Sequence, residues 1–81
     1  MTLKVGTVVA VAKDLEDYDL YEGEQGVVKG FSEENNAYAV EMLTNRGSLH
    51  GCDGLVPSGR GIYLSEDELR LVWGVNSYLK Y

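Results

Sequence analysis

An all-β fold is what this sequence predicts: five short strands wrapped into a small barrel, with one short helical turn before the last strand. Three observations predict it. Ten glycines and one proline among 81 residues interrupt the chain at short intervals and leave little room for long elements. The stretches between them are rich in valine and alternate with a period of two. A chain of this length makes one domain with a thin margin of stability. A sheet rolled onto itself encloses one core without exposed edges.

The elements follow in order. Residues 5–12 read as a strand whose near-continuous apolarity implies cover on both faces. From residue 13 to 24 the alternation stops. Asp14, Glu16, Asp17, Asp19, Glu22 and Glu24 crowd like charges where a helix would suffer from them, so a long ordered loop is expected, threaded by Leu15, Tyr18, Leu20 and Tyr21. Residues 25–32 form the second strand, and Glu33-Glu34-Asn35-Asn36 a tight turn, since asparagine tolerates left-handed backbone angles. Residues 37–43 alternate cleanly, with Tyr38, Val40 and Met42 on one face and Ala37, Ala39 and Glu41 on the other, as in a half-buried strand. These two strands make a hairpin. Residues 44–61 hold five glycines and Pro57 and read as a long connection with one short extended piece at Ser48-Leu49-His50. Ile62-Tyr63-Leu64 is a short strand. Ser65-Glu66-Asp67-Glu68 matches a capping box, so one helical turn is expected there, followed by a strand over 69–73. A longer helix over the same residues is the competing reading, which Gly74 opposes. The barrel is thus assigned to 1–73. The apolar tail 74–81, with Val75, Tyr78, Leu79 and Tyr81, is expected to pack on the barrel or on another copy of the chain.

Seven Lys and Arg against thirteen Asp and Glu leave a net charge of −6. That balance argues against a protein that coats DNA or RNA and against docking on an anionic membrane. One cysteine makes no internal disulfide, so the fold does not call for an oxidising compartment. The longest apolar run, Val8-Val9-Ala10-Val11-Ala12, is far short of the roughly 20 residues of a membrane helix. Met1-Thr2-Leu3-Lys4 does not read as the start of a signal peptide. A cytoplasmic protein is expected.

Several of these stretches resemble a known group. Val5-Gly6-Thr7-Val8-Val9-Ala10-Val11 followed by Gly23-Glu24-Gln25-Gly26-Val27-Val28 resembles the opening of SH3-like barrels, the KOW type included. His50-Gly51-Cys52-Asp53-Gly54, Gly59-Arg60-Gly61-Ile62-Tyr63 and Glu68-Leu69-Arg70-Leu71-Val72 are similar to a pattern in small barrel proteins of bacteriophages and bacteria. The resemblance spans roughly residues 4–72 and rests mostly on glycines and turn residues. It implies a five-stranded SH3-like barrel and a regulator that binds a host protein rather than an enzyme. The KOW alternative implies a nucleic-acid-associated module, and an acidic surface imitating nucleic acid to block a DNA-binding enzyme is a related alternative.

The candidate sites follow from side-chain chemistry. In SH3 domains the long loop after the first strand, with aromatics, forms a groove for extended peptides. Here Tyr18 and Tyr21 stand among Asp17, Asp19 and Glu22, a mixture suited to a basic protein partner. Aromatics supply contact area at low entropic cost, and carboxylates supply orientation. The plainer reading is a solvated loop whose tyrosines cover the barrel end. His50, Asp53 and Arg60 mark a second expected contact region. His50 and Cys52 stand two apart, a spacing compatible with thiol activation or with metal ligation helped by Asp53. The plainer reading has His50 bonded to backbone and Cys52 filling a small gap. Residues 54–61 lack the Gly-Lys-Ser/Thr ending of a phosphate-binding loop, and the acidic loop lacks calcium-loop spacing. Neither a cofactor nor a metal is expected.

Overall fold

A computed structural model of the chain describes residues 3–43 and 49–73. Among these, five strands form one antiparallel sheet in the order β4-β3-β2-β1-β5. The strands are β1 (Val8–Val11), β2 (Gln25–Ser32), β3 (Ala37–Met42), β4 (Gly61–Leu64) and β5 (Leu69–Trp73). A 3₁₀ turn at Glu66–Glu68 precedes β5, so the capping-box turn and the strand after it form as expected and the longer helix does not. The expected tail packing at 74–81 lies outside the described residues.

One expectation is corrected. The sheet is not closed, because β4 and β5 stand at opposite ends of the strand order with no ladder between them. The chain crosses from one to the other through the turn at 65–68. There Ser65 N–H donates to the Glu68 carboxylate at 3.0 Å, and Glu68 N–H donates to the Ser65 carbonyl at 3.0 Å. This local closure replaces a strand-to-strand seam.

The core follows from the alternation. Val9 and Val11 of β1, Val28 of β2, Tyr38, Val40 and Met42 of β3, Ile62 and Leu64 of β4, and Leu69 of β5 form one buried cluster, joined by Leu20 and Leu49. Ala10 is buried on the reverse face of β1, as the unbroken apolar run implies. β2 bends across the sheet at a register shift between Val28 and Gly30, the local kink that lets one strand pair on both sides of a curved sheet. At Gly26, ahead of that shift, an added Cβ would sit 2.7 Å from the Glu41 carbonyl oxygen.

β3 departs from a half-buried strand. Its Ala37 and Ala39 are buried as well, and over Ala39 the connection before β4 folds back across the outer face of the sheet. Cys52 and Val56 pack against Ala39, with Tyr63 at the side, and Leu55 reaches Gly30, whose added Cβ would meet it at 3.1 Å. Small residues on that face make room for the connection. Reciprocal hydrogen bonds between His50 and Gly61, at 2.8 and 2.6 Å, tie off its 50–61 part. In β5 only Leu69 reaches the core, while Leu71, Val72 and Trp73 are exposed.

Candidate functional site

The acidic loop is ordered by its own backbone. Leu15 and Leu20 form a bridge, and a 3₁₀ turn over Glu16–Tyr18 lies between them. Asp19 closes that turn in the left-handed region at φ 56°, which an Asp adopts at lower cost than most residues. The Asp14 carboxylate accepts the Glu22 N–H at 2.9 Å, and the Glu24 carboxylate accepts the Tyr21 N–H at 2.9 Å. Leu20 is fully buried and pins the loop to the core, while Asp17, Tyr18 and Asp19 stay exposed.

This pinning turns Tyr18 towards the turn before β5. A hollow of about 460 Å³ is lined by Asp14, Leu15, Glu16, Asp17, Tyr18 and Glu68. A second of about 310 Å³ shares Tyr18 and Glu68 and adds Asn35, His50, Tyr63 and Ser65. Together they make one groove, running from the acidic loop past the β2–β3 turn to the outer face of β4. No family model, curated protein or solved structure matches the chain.

The His50 end of the groove is held by a short network. The Cys52 N–H donates to His50 Nδ1 at 3.0 Å, so that nitrogen carries no proton in this arrangement. The imidazole and the Tyr63 ring lie 5.5 Å apart. The Tyr63 hydroxyl donates to Asp53 Oδ2 at 2.5 Å. That bond, with the Asp53 charge behind it, pushes the Tyr63 phenol up to about 12. A phenol raised above its unfolded value of 10.0 contributes stability that is complete below about pH 10 and lost as the pH climbs through 12. Following tyrosinate absorbance against pH, Tyr63 is expected to ionise late in the titration, and Asp53→Asn to bring that step down towards 10.

Cys52 is fully buried and its thiol is raised to about 11, chiefly by desolvation, partly offset by a backbone hydrogen bond from Val40. A nucleophilic cysteine needs the opposite shift. A disulfide-exchange reagent at pH 8 is therefore expected to label the native chain at least about 100-fold more slowly than free cysteine. Full labelling at the free-thiol rate would contradict this burial. Among the described residues no group of three or more His, Cys, Asp or Glu side chains is placed to hold a metal ion.

The structure brings some of the expected contact residues together and separates others. Tyr18 and His50 share the groove, Asp17 lines its acidic end, and Asp53 reaches it through Tyr63. Glu22 points instead to Arg70 of β5, 3.5 Å away. Tyr21 hydrogen-bonds with Asp19, which raises its phenol. Arg60 lies near Glu41 at 3.9 Å, beyond the groove lining. Tyr63 and Glu68 are among the lining residues that went unread in the sequence. Tyr63 alternates with the core residues Ile62 and Leu64, so the period of two does place it outside. Glu68 shows in the sequence only as a capping residue, and nothing local signals that the acidic loop lies beside it. No helix among the described residues is long and apolar enough to cross a membrane.

Proposed function

We propose that the chain is a small non-enzymatic module that binds an extended, basic segment of another protein in the groove between the acidic loop and β4. One observation carries this reading: Tyr18 of the acidic loop meets His50 and Tyr63 across a single groove bordered by Glu68. Aromatic rings offer a docking surface at small entropic cost, and the carboxylates of Asp14, Glu16 and Asp17 at one end favour Lys or Arg side chains. The strand order β4-β3-β2-β1-β5, with a helical turn before the last strand, supports the SH3-like resemblance. In the setting that resemblance implies, a bacterial or phage-infected cell, such a module would regulate a host protein by binding it. The same acidic lining opposes the nucleic-acid reading, because phosphates would face carboxylates.

Selection of random twelve-residue peptides on the immobilised full chain tests the proposal. Peptides rich in Lys or Arg are expected to be enriched, and Tyr18→Ala to weaken the best of them at least about ten-fold. Raising the salt should weaken binding further. A selection without basic enrichment, or enriched peptides indifferent to Tyr18→Ala, would overturn it.

A further inference from the structure

Several polar groups at the His50 end of the groove are already engaged. The Tyr63 hydroxyl donates to Asp53 at 2.5 Å. The Ser65 hydroxyl donates to Asp67 at 2.6 Å, and Glu68 Oε1 accepts the Ser65 N–H at 3.0 Å. His50 and Asn35, in the same hollow, each keep one polar atom open. The Cys52 N–H donates to His50 Nδ1 at 3.0 Å. A ring nitrogen that accepts holds no proton, so the single proton of the neutral imidazole sits on Nε2. On the β2–β3 turn, the Asn35 side-chain amide donates to Ser32 Oγ at 2.9 Å, and the Asn35 main-chain N–H reaches the same oxygen at 3.2 Å. These bonds turn the nitrogen end of the amide to Ser32 and leave Oδ1 as its open end. Among the described residues neither His50 Nε2 nor Asn35 Oδ1 has a hydrogen-bond partner, and both residues are exposed.

One donor and one acceptor in a single hollow match the peptide unit, which carries one acceptor and one donor of its own. We infer that His50 Nε2–H and Asn35 Oδ1 bind the main chain of the extended segment, the first donating to a carbonyl and the second accepting an N–H. This rests on the protein-binding reading and divides the work of the groove. The carboxylates of Asp14, Glu16 and Asp17 at the far end select Lys or Arg side chains, while His50 and Asn35 hold the backbone whatever side chains flank it. His50 is set in place beforehand. Its main chain is bonded both ways to Gly61, at 2.8 and 2.6 Å, and its ring to the Cys52 N–H, so little freedom is lost when Nε2 engages. A polyamine of the same charge satisfies the carboxylates but has no carbonyl to offer His50.

The test uses the full chain, labelled with nitrogen-15, and two probes matched in charge: the capped peptide Gly-Lys-Gly-Lys-Gly-Lys-Gly and spermidine, a linear triamine without peptide units. Long-range proton–nitrogen spectra at pH 8 are expected to show the His50 ring proton on Nε2. A proton on Nδ1 would overturn the inference at once. Adding the peptide should shift the His50 Nε2 and Asn35 side-chain resonances saturably, and spermidine should leave them in place. The peptide should bind at least about five-fold more tightly than spermidine. His50→Asn keeps an acceptor for the Cys52 N–H and removes the Nε2 donor. Its melting temperature should match the parent, while peptide affinity falls about five-fold and spermidine affinity holds. Asn35→Ala should lower peptide affinity by a similar factor, again without moving spermidine. Equal affinity for the two probes, or either variant binding the peptide as well as the parent, would overturn main-chain recognition; with basic peptides still selected through Tyr18, the proposed function would stand. Binding of neither probe, with no basic enrichment in the selection, would take both down.

Discussion

Leu20→Ala is expected to lower stability by about 3 kcal/mol and the melting temperature by roughly 15 °C. Leu20 is fully buried, so its truncation removes apolar contact from the core and leaves a cavity. The site cannot readily collapse. Leu20 N–H and carbonyl are both bonded to Leu15, at 3.2 and 2.8 Å, and this bridge fixes the backbone on which the side chain hangs. For a domain this small the loss is a large share of the total. Urea melts followed by far-ultraviolet circular dichroism check it. Leu15→Ala is the control, expected to cost less because Leu15 is only partly buried. A Leu20→Ala loss under about 1 kcal/mol would mean that the loop is not anchored as described. The change should also weaken peptide binding beyond its effect on folding, since Leu20 fixes the loop that carries Tyr18.

Gly61→Ala is expected to cost about as much, roughly 3 kcal/mol, by a different route. A Cβ there would lie 2.7 Å from the His50 carbonyl oxygen, 2.9 Å from Cys52 Sγ and 3.0 Å from Val56 Cβ. The first of these is backbone, and it belongs to the hydrogen-bonded pair that ties the connection to β4, so it cannot swing aside. The connection must lift, and Cys52 with it. Thermal melts should show the loss, and thiol labelling should rise in step. Gly54→Ala separates crowding from backbone strain: Gly54 sits at φ +98° with nothing within 4 Å of an added Cβ, so only the conformational term of about 1 kcal/mol applies. Equal losses at the two positions, or unchanged Cys52 labelling in Gly61→Ala, would refute the crowding account.

Much of the fold was legible because the strands obey a single rule. β2 and β5 fall at residues 25–32 and 69–73 as their alternation and flanking turns indicate, and Tyr38, Val40 and Met42 point to the core together. β1 is shorter than its apolar run, starting at Val8 rather than Val5, because Gly6 at φ +99° turns the chain. What could not be read is long-range. Ala37 and Ala39 looked like the open face of a strand, and only the distant return of Cys52 and Val56 buries Ala39. The acidic residues likewise gave a composition without a direction. Tyr18 joins His50 while Glu22 joins Arg70, and that division depends on Leu20, whose neighbours in sequence do not mark it as the buried anchor. Sealing of the sheet was inferred from economy of edges, whereas a four-residue turn bridges the ends instead.

The pairing of β1 with β5 sets the order of events when the chain is made. Val8 lies opposite Trp73, and Val11 opposite Leu69, so β1, synthesised ahead of the other strands, finds its outer neighbour only after some sixty further residues have appeared. Wide sequence separation slows the search, and a topology built this way belongs with those that fold in milliseconds to seconds rather than microseconds. During translation the meander from β1 to β4 can assemble first, leaving the flank of β1 bare until the ribosome releases the closing strand.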